Sequence, residues 1–341
     1  MRWIIVLLVA AFVGATPARA VMLERGDLYT KAELEKDAVR LRVAVIKIYE
    51  KGIRPVLTSD EINVIGGEIG WDFPLPGDNN VLMNFYSLPQ RGRIVLPILS
   101  LKALEDTTTA YAWLLYNKKN LDSIDLYYSM LRYRDREDFP GGRYPSILKA
   151  LGIPDNALKD KRVDELSLSL RNEAFAFIIA HEFGHIHFQH PAIDGLTVEK
   201  VRAGEIEADN FAYNVLGRSQ TPVVGAVLFF QAQLYSFTHR AEFPTREKWE
   251  NYMRKVMTHP LGVYRISAMV DYFEGPLARS RSGETMKWRE FGAMVRRVLP
   301  LMEDIELSKC VIKIAKNADI SILRQHSPMS RASYMEICRG L

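Results

Sequence analysis

Residues 172–190 read "NEAFAFIIAHEFGHIHFQH", and Pro191 follows. The stretch is apolar almost all round as far as Ala180 and then turns polar. A helix that is apolar on every side is enclosed by its domain rather than laid against it. Its polar end carries His181, Glu182, His185, His187 and His190, so the centre of the fold and the candidate chemistry fall on one helix. Pro191 is expected to stop it.

His181, Glu182 and His185 form an H-E-x-x-H pattern. With about 100° per helical residue, His185 stands about 40° from His181 and one turn along, so both imidazoles can meet one ion. Glu182 lies about 60° from His185, at the edge of that face. There it can act on a water beside the ion without being a ligand. His187 and His190 would lie about 240° and 180° from His181 while the helix continues. Both are therefore expected to be bystanders with polar or capping roles at the helix C-terminus, where the dipole favours a histidinium.

A catalytic zinc takes three protein ligands and keeps one position open. The next helical pattern, residues 198–217, holds "GEIEAD" at 204–209. Glu205 and Asp209 are four apart and share a face, whereas Glu207 is turned about 200° from Glu205. Read alone, these acids are an ordinary solvated face. After an H-E-x-x-H they offer Glu205 as the third ligand to one Zn2+ per chain. Asp209, one turn on, is placed to accept a hydrogen bond from a ligand histidine.

The surrounding chain reads as mainly α (α+β), with a small sheet or hairpin beside the active-site helix. Residues 27–51 have apolar positions at helical spacing (Leu34, Val39, Val43, Ile46). In 81–101, two β-rich runs flank "LPQRG", a hairpin signal followed by a helix start. Residues 106–170 look helical in pieces, and further helices are expected at 222–239 and from about Pro260.

Four stretches together resemble the gluzincin peptidases typified by HtpX and the CAAX prenyl endopeptidases. They are "HEFGHIHFQH" at 181–190, "EIEAD" at 205–209, a looser match from Asn84 to Val95, and "THP" at 258–260 followed by Arg265 and Ile266. The order is the family's, and the resemblance spans roughly 80–275. It implies a zincin-like fold with zinc held by His181, His185 and Glu205, Glu182 as general base and Asp209 behind the ligands. It also implies His259 and Arg265 near the open coordination position, with His259 stabilising the oxyanion or visiting the metal. The strand Asn84, Phe85, Tyr86, Ser87 and Leu88 would pair with an extended substrate. One departure is the insertion at 106–170, which either caps the cleft, docks a partner or is a helical elaboration.

The first 20 residues pair Arg2 with an apolar run of 13 residues, Trp3–Ala15, and end in Ala18-Arg19-Ala20. The run is shorter than the ~20 residues that span hydrocarbon and reads as a signal peptide cut after Ala20, which predicts a periplasmic or secreted protein. Without Arg2 and Arg19, Lys+Arg falls from 45 to 43 against 41 Asp+Glu, a net charge of +2. That balance, with no nucleic-acid motif, excludes nucleic acid as a partner. The expected domains are a metallopeptidase at 21–275 and a helical extension at 276–341. Cys310 and Cys338 are candidates for a disulfide in an oxidising compartment. The expected activity is zinc-dependent endopeptidase action on a protein or peptide substrate, with an envelope or membrane-proximal protein as a possible partner. The alternatives are a catalytically quiet zinc-stabilised chaperone or assembly factor, and a zinc amidase acting on cell-wall peptides.

Overall fold

The computed structural model describes residues 24–64, 68–77, 80–192, 195–234, 239–255, 262–274, 304–325 and 330–341. The signal-like residues 1–20 and His259 lie outside them. Along the chain run α1 (Lys31–Ile48), α2 (Ser59–Asn63), β1 (Gly70–Asp72), β2 (Tyr86–Leu88), β3 (Arg93–Val95) and α3 (Ile98–Tyr116). Then come α4 (Ser123–Tyr133), α5 (Ile147–Ala150), α6 (Lys161–His187), α7 (Val198–Ser219) and α8 (Val224–Leu234). The rest are α9 (Arg246–Lys255), α10 (Gly262–Glu274), α11 (Ile305–Asn317) and α12 (Arg331–Gly340). The protein is mainly α-helical with one small three-stranded sheet.

Helix α6 is the axle. Asp160 caps its start by accepting from the Arg162 N–H. Over its first turns only Val163, Ser167 and Leu170 are buried, whereas Glu173–Gly184 is buried throughout. Helices α3, α7 and α8 pack around it, and β2 and β3 lie across it. Two glycines let neighbours come close. A Cβ on Gly225, at the start of α8, would stand 1.9 Å from the Leu170 carbonyl oxygen. Its N–H donates to the buried Glu173 carboxylate at 2.9 Å. The second, Gly184, sets the α6–α7 contact described below.

The helix ends at His187, ahead of Pro191. Gln189 takes a left-handed conformation, φ 54°. The Gln189 N–H donates to the Ile186 carbonyl at 3.1 Å and the His190 N–H to the His185 carbonyl at 3.0 Å. Those two bonds are a Schellman ending, with glutamine where glycine is usual.

In α1 the buried face is Leu34, Ala38, Leu41 and Val45. Val39 and Val43, assigned inward by spacing, are 68% and 59% exposed, and Ile46 is exposed too. Two apolar stripes run along this helix at helical spacing, and the one that met α3 and α6 became the core face.

The sheet order is β1-β3-β2, with β1 parallel and β2 antiparallel to β3. The β2–β3 hairpin turns at Pro89–Arg91, and Gly92 (φ 57°) supplies the left-handed residue. The expected hairpin and helix start are both present. Strand β2 is an edge strand packed on α6.

Residues 106–170 supply the end of α3, then α4, α5 and the start of α6. They contribute Leu114, Leu126, Tyr127, Leu131 and Leu151 to the same buried cluster as α6. Helices α11 and α12 join that cluster through Ile314 and Tyr334. Cys310 and Cys338 stand as free thiols on these two helices. Burial, then the neighbouring Cys338, pushes the Cys310 thiol up to about 12. No described helix is long and apolar enough to cross a membrane.

Candidate metal centre

Helices α6 and α7 touch at Gly184. A Cβ there would stand 3.0 Å from the Ala208 Cα and 3.2 Å from the Phe211 Cβ. A larger residue would hold α7 off. The close approach turns the buried Glu205 and Asp209 of α7 towards the buried His181 of α6.

One ligand atom each from His181, His185 and Glu205 lie within 4.8 Å of one another, the one such group of three among the described residues. The two Nε2 atoms are 3.1 Å apart. Glu205 Oε2 is 3.4 Å from His181 Nε2, and Oε1 is 3.5 Å from His185 Nε2. Donors held about 2.0–2.2 Å from one ion at tetrahedral angles stand about 3.3–3.6 Å apart. The residues therefore fit a zinc-sized cation.

The outer partners fix which ring atoms face that point. His181 Nδ1 is 2.9 Å from Asp209 Oδ1. Asp209 is in turn gripped by Arg265, Nε to Oδ2 at 2.7 Å and Nη2 to Oδ1 at 2.6 Å. A carboxylate only accepts, so Asp209 at this distance favours the His181 ring proton on Nδ1 and leaves the Nε2 lone pair facing inward. Two lone pairs and a carboxylate aimed at one point attract a cation. In the metal-free chain that cation is a proton. Burial pulls the His181 imidazolium down, but hydrogen bonding to Asp209 and Glu205 outweighs it and carries the group up to about 10. Burial raises the Asp209 carboxyl, and Arg265, with His181 beside it, reverses this to leave it below the ordinary range.

Glu182 is buried and is not one of the three donors. Burial pushes its carboxyl up to about 7; the His181 charge opposes this, Glu205 adds to it, and hydrogen bonding from Ser87 of β2 opposes it. A base poised near neutrality can take a proton and return it. Glu182, the three donors and the edge strand share one cleft of about 730 Å³. Phe85, Phe177 and Phe229 form its apolar wall, and Phe177 stacks on His181 with centroids 6.0 Å apart.

Of the proposed substrate strand, Tyr86, Ser87 and Leu88 form β2, and Asn84 and Phe85 lead into it; all but Leu88 line the cleft. No residue of 106–170 is among those that line it. Arg265 borders the cleft, yet its guanidinium is spent on Asp209 and, at 3.3 Å, Gln233. Its hydrogen bonds to Asp209 place it behind His181, and its charge also acts on the donor Glu205. The His187 ring packs against Phe188 and Phe211.

His190 is the correction. Its Nδ1 is 2.8 Å from His185 Nδ1, and its Nε2 is 3.0 Å from Glu207 Oε2. The wheel placed it opposite His181 by continuing the helix three residues too far. The signal was available: a residue before proline avoids the helical region, so His190 could not extend the wheel.

No curated protein and no solved structure matches the chain. Residues 149–277 run from α5 to just beyond α10, take in the whole donor cluster, Asp209 and Arg265, and match the family model of the Peptidase U49 family, so the helices that carry the candidate centre resemble a peptidase family.

Proposed function

We propose that the protein is a zinc-dependent endopeptidase acting outside the cytoplasm. The observation that carries the reading is the convergence of His181, His185 and Glu205 in one cleft with Glu182 and an edge strand. The peptidase-family match supports hydrolysis of peptide bonds, and the signal-like leader supports export. The gluzincin resemblance supports the roles of the individual residues.

His181, His185 and Glu205 hold the zinc. Zinc, when bound, polarises the scissile carbonyl and makes a water acidic near pH 7. A substrate backbone adds to the exposed edge of β2, which lays its scissile bond along α6. Glu182 takes the proton of the attacking water and delivers it to the leaving amine nitrogen. Asp209 keeps the His181 proton on Nδ1, and Arg265 keeps Asp209 ionised.

Chelation tests the reading. Treatment with a strong chelator should abolish cleavage of casein, and one equivalent of zinc should restore it. Cleavage that survives removal of bound metal would exclude the proposal. Peptidoglycan fragments cleaved in place of casein would point to an amidase.

A further inference from the structure

We propose that His190 and Glu207 are positioning residues for the ligand His185, forming the outer arm of the metal centre. The inference rests on the zinc reading above. His181 has a carboxylate directly behind it, Asp209. Behind His185 stands another imidazole, and the carboxylate comes one step later. His185 Nδ1 meets His190 Nδ1 at 2.8 Å, and His190 Nε2 meets Glu207 Oε2 at 3.0 Å. With both imidazoles neutral, one arrangement of protons satisfies both contacts. Glu207 only accepts, so His190 donates through Nε2–H and has a lone pair on Nδ1. His185 then donates through Nδ1–H, and its Nε2 offers a lone pair to the ion. Both ligand rings are thus held in the tautomer that binds metal, one by a short arm and one by a long arm.

The backbone is built for this contact. The Schellman ending brings the residue two beyond the cap back over the last turn, where an apolar pair usually seals it. Here the pair is His190 over His185. Gly204 on α7 makes the seat: a Cβ there would stand 3.3 Å from His190 Cε1 and Nδ1. Phe188 stacks on the His190 ring, centroids 5.7 Å apart and 24° between planes. Gly204 precedes the ligand Glu205 and lies one turn before Glu207. A single turn of α7 therefore supplies the third ligand, the seat and the carboxylate of the long arm.

The test is zinc affinity, measured by chelator competition on the full chain with zinc alone as the probe. His190→Ala should bind zinc about 10- to 100-fold more weakly than wild type. Glu207→Ala should weaken binding less, because His185 keeps its partner. The double variant should be no weaker than His190→Ala, since both remove the same arm. His190→Gln, whose amide can accept from His185, should recover part of the loss. Glu207 is half exposed, so its variant leaves the fold intact. Wild-type affinity in His190→Ala, or additive losses in the double variant, would overturn the proposal while leaving the zinc reading standing. Absence of zinc binding by the wild type would overturn that reading as well.

Discussion

Replacing Glu182 by glutamine should lower kcat by about 10²- to 10⁴-fold without loss of zinc. The substitution keeps the size and shape of the side chain and removes its ability to take and return a proton. It should not unfold the protein. The carboxyl is buried and already titrates near 7 before metal binds, so a neutral amide in its place adds no unpaired charge. The same residue sets the acid limb of the pH profile in the wild type. As a base Glu182 must be ionised, so activity falls as pH drops through its pKa. A bound cation beside it favours the carboxylate and moves that limb below 7. Steady-state kinetics with zinc analysis on the same sample check both halves. Undiminished cleavage by Glu182→Gln would remove Glu182 from the chemistry.

Arg265→Met should destabilise the fold by about 3–5 kcal/mol, because it leaves the Asp209 charge buried without its partner. The wild-type pair is bidentate and almost fully buried, with the guanidinium 4.6 Å from the centre of the Phe230 ring. Burial alone raises the Asp209 carboxyl, and Arg265, with His181 beside it, keeps it low. Wild-type stability from this carboxylate is therefore lost only as pH falls below the ordinary Asp range. In the variant burial is less opposed, so this carboxylate contributes less at neutral pH, and the deficit shrinks as pH falls and Asp209 takes up a proton. Zinc binding should weaken too, since a protonated Asp209 no longer selects the His181 tautomer. Urea unfolding of the metal-free proteins measures the first effect. A double variant with Asp209→Asn should lose less than the sum of the two single changes, as the two groups are in contact. Additive losses would mean that the pair does not act as a unit.

Helical spacing carried most of the centre in the sequence. His181, Glu182 and His185 are fixed relative to one another by one helix, and Glu205 and Asp209 by another. Joining the two required only that the helices cross, and Gly184 is where they do. The hairpin was equally legible, since "LPQRG" between β-rich runs leaves little choice. What spacing could not supply was the surface each element meets. Helix α1 has two apolar stripes, and only the packing against α3 and α6 selects Leu34, Ala38, Leu41 and Val45. Arg265 is a charge in a helical pattern until its partner is known, and Asp209 lies 56 residues away. The charged start of α6, residues 161–170, looked like part of the insertion because its apolar face is narrow there. His190 was misread for a different reason: the wheel assumes a helix, and the chain leaves the helix before it arrives.

Zinc content per chain, compared between wild type and Glu205→Ala, tests the central claim most directly. Glu205 belongs to the other helix, so the comparison probes the convergence of α6 and α7 rather than the H-E-x-x-H pattern alone. The account predicts one zinc per wild-type chain, and loss of both the metal and casein cleavage in the variant. A wild type that cleaves without zinc, or a variant that retains zinc and full activity, would contradict it.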